Sequence, residues 1–433
     1  MSNKCYFTFS PLSRRTHYVA TDESTRTWYG EISTTRDKLK YALPFYSLAN
    51  SWKNSVKSTM TILRRTFRIL TVSGCLRPSS CTSSFKRLLY NIYTIFVILL
   101  TQTVVLSLIL DIVFNVENQD EFSDNFYVTL APFIACCKMC NFLINRANVA
   151  ALVDNLRREP FAPANAEEIE ILTRYDKITE WNTMAYTILI ESCIVWIWVT
   201  SFFTDLKCKK LVYRAWLPYD YSSSLLYAVT YAQQAVGITI CSLLSVAYDT
   251  LYSGMLIHTY CQLELLGHRL KRVVKEDIDS VKLCFPTSGQ FLLFAGMVNQ
   301  TFKSMACTQF LVSTSIVCFN LYRLTQRDLG SRVFETVFYG ICMLTEIFYY
   351  CWYGNEVKLK VHSHDKIFQF QTEYPDWTSL NVKSKKILLM IMRRATTPIE
   401  FKGIHVVSMN LESFMMLLKT SYSVYNMLQQ SNE

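Results

Sequence analysis

Seven long apolar runs dominate this 433-residue sequence, and the first is the most restrictive. From Leu88 to Leu110 there are 23 residues without a charged side chain. At 1.5 Å rise per residue that is ~34 Å of helix, enough to cross a hydrocarbon core of about 30 Å. A segment in lipid must satisfy its own backbone polar groups, so it spans as a helix or as part of a closed barrel. Long unbroken runs with only 11 Gly and 10 Pro favour helices. Six more runs follow, at about 125–145, 181–204, 221–248, 291–322, 333–354 and 403–430. The fourth is expected to continue as helix beyond the membrane to about Leu270. The predicted fold class is an all-α membrane protein with seven transmembrane helices.

Charge sets the expected orientation. Residues 1–87 carry 15 Lys/Arg against 4 acids, and the loops expected on the same side (146–178, 269–290 and 355–402) add 5, 5 and 9. That side holds 34 basic residues, against 7 in the opposite loops 111–124, 205–220 and 323–332. Basic residues stay on the cytoplasmic side during insertion. The N-terminus is therefore expected inside the cell and, after seven spans, the C-terminus outside. The net charge of +10 fits this sorting better than it fits nucleic acid. The polar first 40 residues hold no apolar core of a cleavable signal, so the first span is expected to serve as the anchor.

The expected organisation has five parts. Residues 1–55 are a disordered cytoplasmic extension; 56–85 carry a basic amphipathic helix that lies on the membrane surface or docks on the bundle. Residues 86–355 hold spans 1 to 6, 356–402 form a cytoplasmic anchor region, and 403–433 hold span 7 with a short outer tail.

Other chemistries lack their signatures. The cluster Cys136, Cys137 and Cys140 has no partner at zinc spacing, and cysteines inside apolar runs behave as small hydrophobes. There is no Gly-x4-Gly-Lys-Ser/Thr, Gly-x-Ser-x-Gly or His-Glu-x-x-His. No catalytic residue, metal ligand or cofactor is expected. A G-protein-coupled chemosensory receptor is the alternative seven-span reading. It would place its N-terminus outside, and the chain lacks both Asp/Glu-Arg-Tyr after span 3 and Asn-Pro-x-x-Tyr in span 7.

The end of the chain is the most specific part. Cys351-Trp-Tyr-Gly-Asn-Glu356 closes span 6, followed by Tyr374-Pro-Asp-Trp377, Lys385 to Met390 and Arg393-Arg-Ala-Thr-Thr-Pro398. Leu411-Glu-Ser-Phe414 and Lys419-Thr-Ser-Tyr-Ser-Val-Tyr-Asn426 then lead into Met427-Leu428. This order resembles the insect odorant receptor family, over about residues 61–430. Thr420-Ser-Tyr-Ser resembles the odorant branch rather than the gustatory one. Only about 20 residues (271–290) join spans 4 and 5, where the odorant co-receptor has a long insertion, so the chain resembles a ligand-tuning subunit.

The resemblance implies a tetrameric odour-gated, non-selective cation channel. A tuning subunit would assemble with the co-receptor as a heterotetramer in the plasma membrane of the olfactory sensory neuron dendrite. Its ligand would be a small volatile hydrophobic molecule, and one pore would form where the four seventh spans meet. Helical spacing places Met416, Thr420, Ser423, Met427 and Gln430 on one face of span 7, either lining a pore or packing as polar glue. Thr420, Ser423, Met427 and Gln430 are the predicted pore-lining residues, with Met427 matching the family's narrowest apolar ring. Ligand contacts are expected in the outer halves of spans 2 to 6, at Phe126, Tyr127, Val195, Trp196, Tyr227, Tyr231, Val312, Ser315, Phe319, Phe334 and Phe338. Ordinary helix packing is the alternative for each. Lys138, Glu191, Lys303, Glu335, Glu346, Glu412 and Lys419 fall in or near spans, and Lys138, Lys303 and Glu346 are expected to snorkel from cytoplasmic ends.

Overall fold

A computed structural model of the chain describes residues 62–78, 83–204, 209–276, 279–325, 333–365, 382, 402–403 and 407–430. The expectations for residues 1–55 and for most of 356–402, including Tyr374–Trp377, lie outside these described residues.

A short helix, α1 (Arg64–Val72), precedes the spans. It ends because Gly74 adopts a left-handed φ of 76°, a conformation that costs glycine little. The reversal lets Cys75 N–H donate to Leu70 O at 3.0 Å and Gly74 N–H to Thr71 O at 3.2 Å, which satisfies carbonyls at the helix end. Of the two placements open to this amphipathic segment, the structure shows docking on the bundle. Leu63 and Leu70 join the core, and the Thr66 hydroxyl donates to Thr250 Oγ1 at 3.2 Å with Thr183 Oγ1 at 3.4 Å.

The seven spans are α2 (Ser84–Phe114), α3 (Gln119–Asn155), α4 (Ala166–Thr204), α5 (Ser224–Glu276), α6 (Asp279–Thr325), α7 (Val333–Asp365) and α8 (Leu411–Gln430). By length and composition, α2 to α6 are apolar enough to cross a membrane. Glu335, Glu346 and a basic C-terminal end dilute α7, and Ser, Thr, Asn and Gln dilute α8. The 53 residues of α5 make ~80 Å of helix, far more than a bilayer core needs, so the expected extension past the membrane is present.

Helix α5 is the axis of the bundle and touches α1, α2, α3, α4, α6 and α7. Its residues Leu251, Met255, Leu256 and Cys261 have no exposed surface. Close crossings need small residues here: a Cβ on Gly237 would lie 2.7 Å from Val104 Cγ2 of α2. Toward the other end of α5, Arg269 donates to Glu168 at 3.0 and 2.7 Å and to the carbonyls of Pro160 and Ala162 at 2.5 and 2.9 Å. That buried cation thereby ties the α3–α4 connection to α5.

The last span starts later than the apolar run suggests. Residues Lys402–Gly403 (β1) and Val407–Ser408 (β2) pair antiparallel, and Asn410 then caps α8 by accepting Ser413 N–H at 2.9 Å. Helix α8 is 20 residues, ~30 Å, and packs against α6 and α7 at the edge of the bundle.

Candidate ligand-binding cavity and the outward face of the last helix

A cavity opens between α3, α4, α5 and α7. It holds about 840 Å³ of space free of atoms, its open mouth included. Helical spacing builds each wall: Tyr127 and Ala131 on α3, Tyr186, Ile190, Cys193 and Ile197 on α4, Ile238, Cys241, Ser242 and Ser245 on α5, and Tyr339, Cys342 and Glu346 on α7. Facing positions carry Ala, Cys and Ser, which leave room that larger side chains would fill.

A loop between α4 and α5 roofs the space with Tyr213. It is pinned by Gln234, which accepts from Tyr213 N–H at 3.1 Å and donates to Tyr213 O at 2.9 Å, and by Trp216 N–H on Ser107 O at 3.0 Å. Arg214 adds ion pairs to Asp111 at 3.6 Å and Glu121 at 3.0 Å. Beside Tyr127, the Arg323 guanidinium sits 4.5 Å from the ring centre and 2.8 Å from Asp124.

The floor is charged. Lys138 of α3, 1% exposed, lies 2.7 Å from Asp249 of α5 and pairs with Glu346 of α7. Tyr350 donates to Asp249 at 2.6 Å and Tyr186 at 3.3 Å. Lys138 and Glu346 therefore do not snorkel as expected. Each finds an opposite charge inside the bundle, the alternative that lipid imposes on a buried ion. Asp249, one residue past the expected end of span 4, was not anticipated as a partner. Lys303 keeps an exposed side chain.

Of the eleven predicted ligand contacts, Tyr127 lines this cavity. Tyr227 and Tyr231 spend their hydroxyls on Lys210 O at 2.8 Å and Ser201 Oγ at 3.2 Å, holding loop and helix together. Val195 and Trp196 point outward from α4, 58% and 41% exposed, and Trp196 meets Phe334 edge-on at 4.9 Å. Phe126 and Phe319 stack with Phe122 outside the cavity wall. Val312 is in the main core, the Ser315 hydroxyl bonds back to Leu311 O at 3.2 Å, and Phe338 packs beside the cluster of Tyr186 and Ile190. The wall residues that sequence reasoning missed follow an i, i+4, i+7, i+11 stripe on α4, one face away from Val195 and Trp196.

The four predicted pore residues share one side of α8. Thr420, Ser423, Met427 and Gln430 are exposed in the chain, Met427 by 72%, as is Met416. The neighbouring stripe, Ser413, Leu417 and Ser421, is buried, with Ser421 Oγ donating to Thr314 O of α6 at 3.2 Å. Where α7 passes the start of α8, a Cβ on Gly354 would overlap Met409 O. Backbone therefore meets backbone at that crossing.

These features define a multi-pass helical membrane protein with a mostly apolar cavity inside its bundle. The family model described as 7tm Odorant receptor matches residues 118–422, and the chain belongs to the odorant receptor family. Odorant receptor Or1 of Anopheles gambiae is 22% identical over 349 residues, covering 73% of this chain and 82% of that protein. Odorant receptor 94a of Drosophila melanogaster is 21% identical over 327 residues, covering 72% and 81%. The fold is similar to the insect olfactory receptor OR5 from Machilis hrabei in complex with eugenol, with a TM-score of 0.74 at 18% identity over 85% of this chain and 97% of that one. A second structure of OR5 gives a TM-score of 0.73 at 17% identity over 85% and 97%. The family is one of receptors, not enzymes.

Proposed function

We propose that this odorant receptor is the ligand-tuning subunit of an odour-gated, non-selective cation channel. It sits in the plasma membrane of the olfactory sensory neuron dendrite with its N-terminus in the cytosol. The 34-to-7 division of basic residues supports that orientation. The odorant co-receptor completes a heterotetramer, and the short stretch of about 20 residues between spans 4 and 5 (271–290) supports the tuning role.

The observation that carries the reading is the division of labour in one chain. A cavity lies between α3, α4, α5 and α7, while α8 turns a polar and methionine-bearing face away from its own bundle. A small volatile ligand burying about 300 Å² in the cavity gains roughly 7 kcal/mol gross at about 25 cal/mol per Å². Association costs reduce this to affinities in the micromolar range. Ligand binding shifts α7, and with it α8, whose Met427 ring yields while Thr420, Ser423 and Gln430 keep passing ions hydrated. Similarity to OR5, solved in complex with eugenol, supports placing a small molecule inside this fold.

Co-expression with the odorant co-receptor and current recording under an odorant panel that includes eugenol tests the proposal. Odour-evoked cation currents that require both subunits are expected. G-protein-dependent signalling without a co-receptor current, together with an N-terminal tag exposed on intact cells, would contradict it.

A further inference from the structure

We propose that α1 and the first turn of α2 form a binding site for anionic phospholipid headgroups of the cytoplasmic leaflet, held by Arg64, Arg68, Arg77 and Lys86. This rests on the proposed orientation, with the N-terminus in the cytosol, and adds a lipid ligand separate from the odorant cavity.

The two sides of α1 are sorted by charge. Leu63, Thr66 and Leu70 are buried against the bundle, whereas Arg64, Arg65 and Arg68 are exposed. Spacings of three and four residues put these guanidiniums on one side of the helix. Arg77 follows the turn and Lys86 opens α2, and both are exposed as well. Arg65 lies 3.9 Å from Glu180 of α4, while no acid among the described residues pairs with the other four cations. The sequence holds no Asp or Glu between Asp37 and Asp111. Topology alone asks for cations on the correct side of the membrane, not on one face of a docked helix.

Hydrogen bonds set the depth of this basic face. Tyr90 of α2 donates to Thr71 O at 2.9 Å and to Leu76 O at 2.8 Å, and Thr94 donates to Gly74 O at 2.8 Å. The end of α1 is therefore fixed beside residues 90–94 of α2, within ~9 Å of the start of the charge-free run at Leu88. At that level Leu88, Leu89, Ile92 and Ile95 of α2 are more than half exposed, as is Val72 of α1. Apolar side chains thus face the lipid chains while the cations stand where phosphates lie, the division of an interfacial helix. Guanidiniums bind phosphate oxygens through paired N–H donors, and cations clustered beside a span attract anionic lipids. Thr66 donates to Thr250 of α5 at 3.2 Å, so a lipid bound on α1 adds stability to the folded bundle.

The test titrates the purified full-length chain in uncharged detergent micelles with short-chain phosphatidylcholine, phosphatidylserine or phosphatidylinositol bisphosphate. Each anionic lipid is expected to raise the thermal midpoint by roughly 3 °C or more at saturation, and phosphatidylcholine to leave it unchanged. The shift should shrink as salt is added, because the cations are exposed. The triple variant Arg64→Gln, Arg68→Gln, Arg77→Gln should match the wild type in phosphatidylcholine and lose the anionic shift. Lys303→Gln, which removes an exposed cation of α6, should keep it. An equal response to all three lipids, or an undiminished shift in the triple variant, overturns the proposal. An equal shift from inositol trisphosphate, the headgroup without chains, also overturns it by marking a soluble phosphate ligand. If the triple variant cannot be purified, the lipid comparison on the wild type decides. An N-terminal tag judges the orientation separately. Exposed on intact cells, it refutes the cytoplasmic leaflet even where anionic lipid binds in micelles; hidden, it leaves a missing shift as the failure of the lipid site alone.

Discussion

At the scale of single residues, the informative positions are those where a side chain has no freedom to be anything else. Gly354 is one, because any Cβ would overlap the Met409 carbonyl where α7 meets the start of α8. Gly296 of α6 is the opposite case, with nothing within 4 Å of the built Cβ. Gly354→Ala is therefore expected to cut surface-labelled receptor sharply while Gly296→Ala leaves it unchanged; equal expression of the two would show that the crossing tolerates separation. Lys138 is another. Lys138→Met leaves Asp249 and Glu346 buried with no cation, a change that typically costs 3–5 kcal/mol. Its thermal midpoint in detergent should fall well below that of the wild type, and the triple variant K138M/D249N/E346Q should recover part of the loss. Lys138 was legible in the sequence as a charge in an apolar run. Its partners were not, because Asp249 and Glu346 lie 111 and 208 positions away and only packing brings them together.

At the scale of elements, apolar runs and helix lengths were readable, since lipid forces each span to close its own backbone hydrogen bonds. The start of the last span was not readable. The run from 403 looks continuous, but a two-residue ladder and the Asn410 cap move the helix start to Leu411. Likewise the cavity escaped a search for aromatic residues. Space inside a bundle forms where small side chains such as Ala131, Cys193, Cys241 and Cys342 face each other, whereas bulky ones such as Phe126 and Phe319 pack edge-to-face elsewhere and leave no room. Helix α8 offers a matched pair of variants. Ser421→Leu pushes bulk into the buried contact with α6 and removes the bond to Thr314 O, so it should reduce assembled channel. Ser423→Leu, on the exposed face, should leave assembly intact and reduce single-channel conductance. If S421L assembles normally and S423L does not, the two faces of α8 have been assigned the wrong way round.

At the scale of the whole molecule, the described residues form a receptor bundle hung on α5, with one helix at its rim whose exposed face meets no counterpart among them. The family places it among odorant receptors, and the comparison with OR5 accounts for the fold. Neither the basic-residue asymmetry nor the exposed face of α8 depends on those relatives, and the exposed face supports the proposed channel, in which the last helix would line the pore. The most direct test is modification of introduced cysteines by a membrane-impermeant thiol reagent during ligand-evoked currents, with the native cysteines as the background control. Met427→Cys is predicted to confer rapid, ligand-dependent block, and Ser421→Cys, buried against α6, none. Block at Ser421→Cys with none at Met427→Cys would contradict the assignment of α8 as the pore-lining helix.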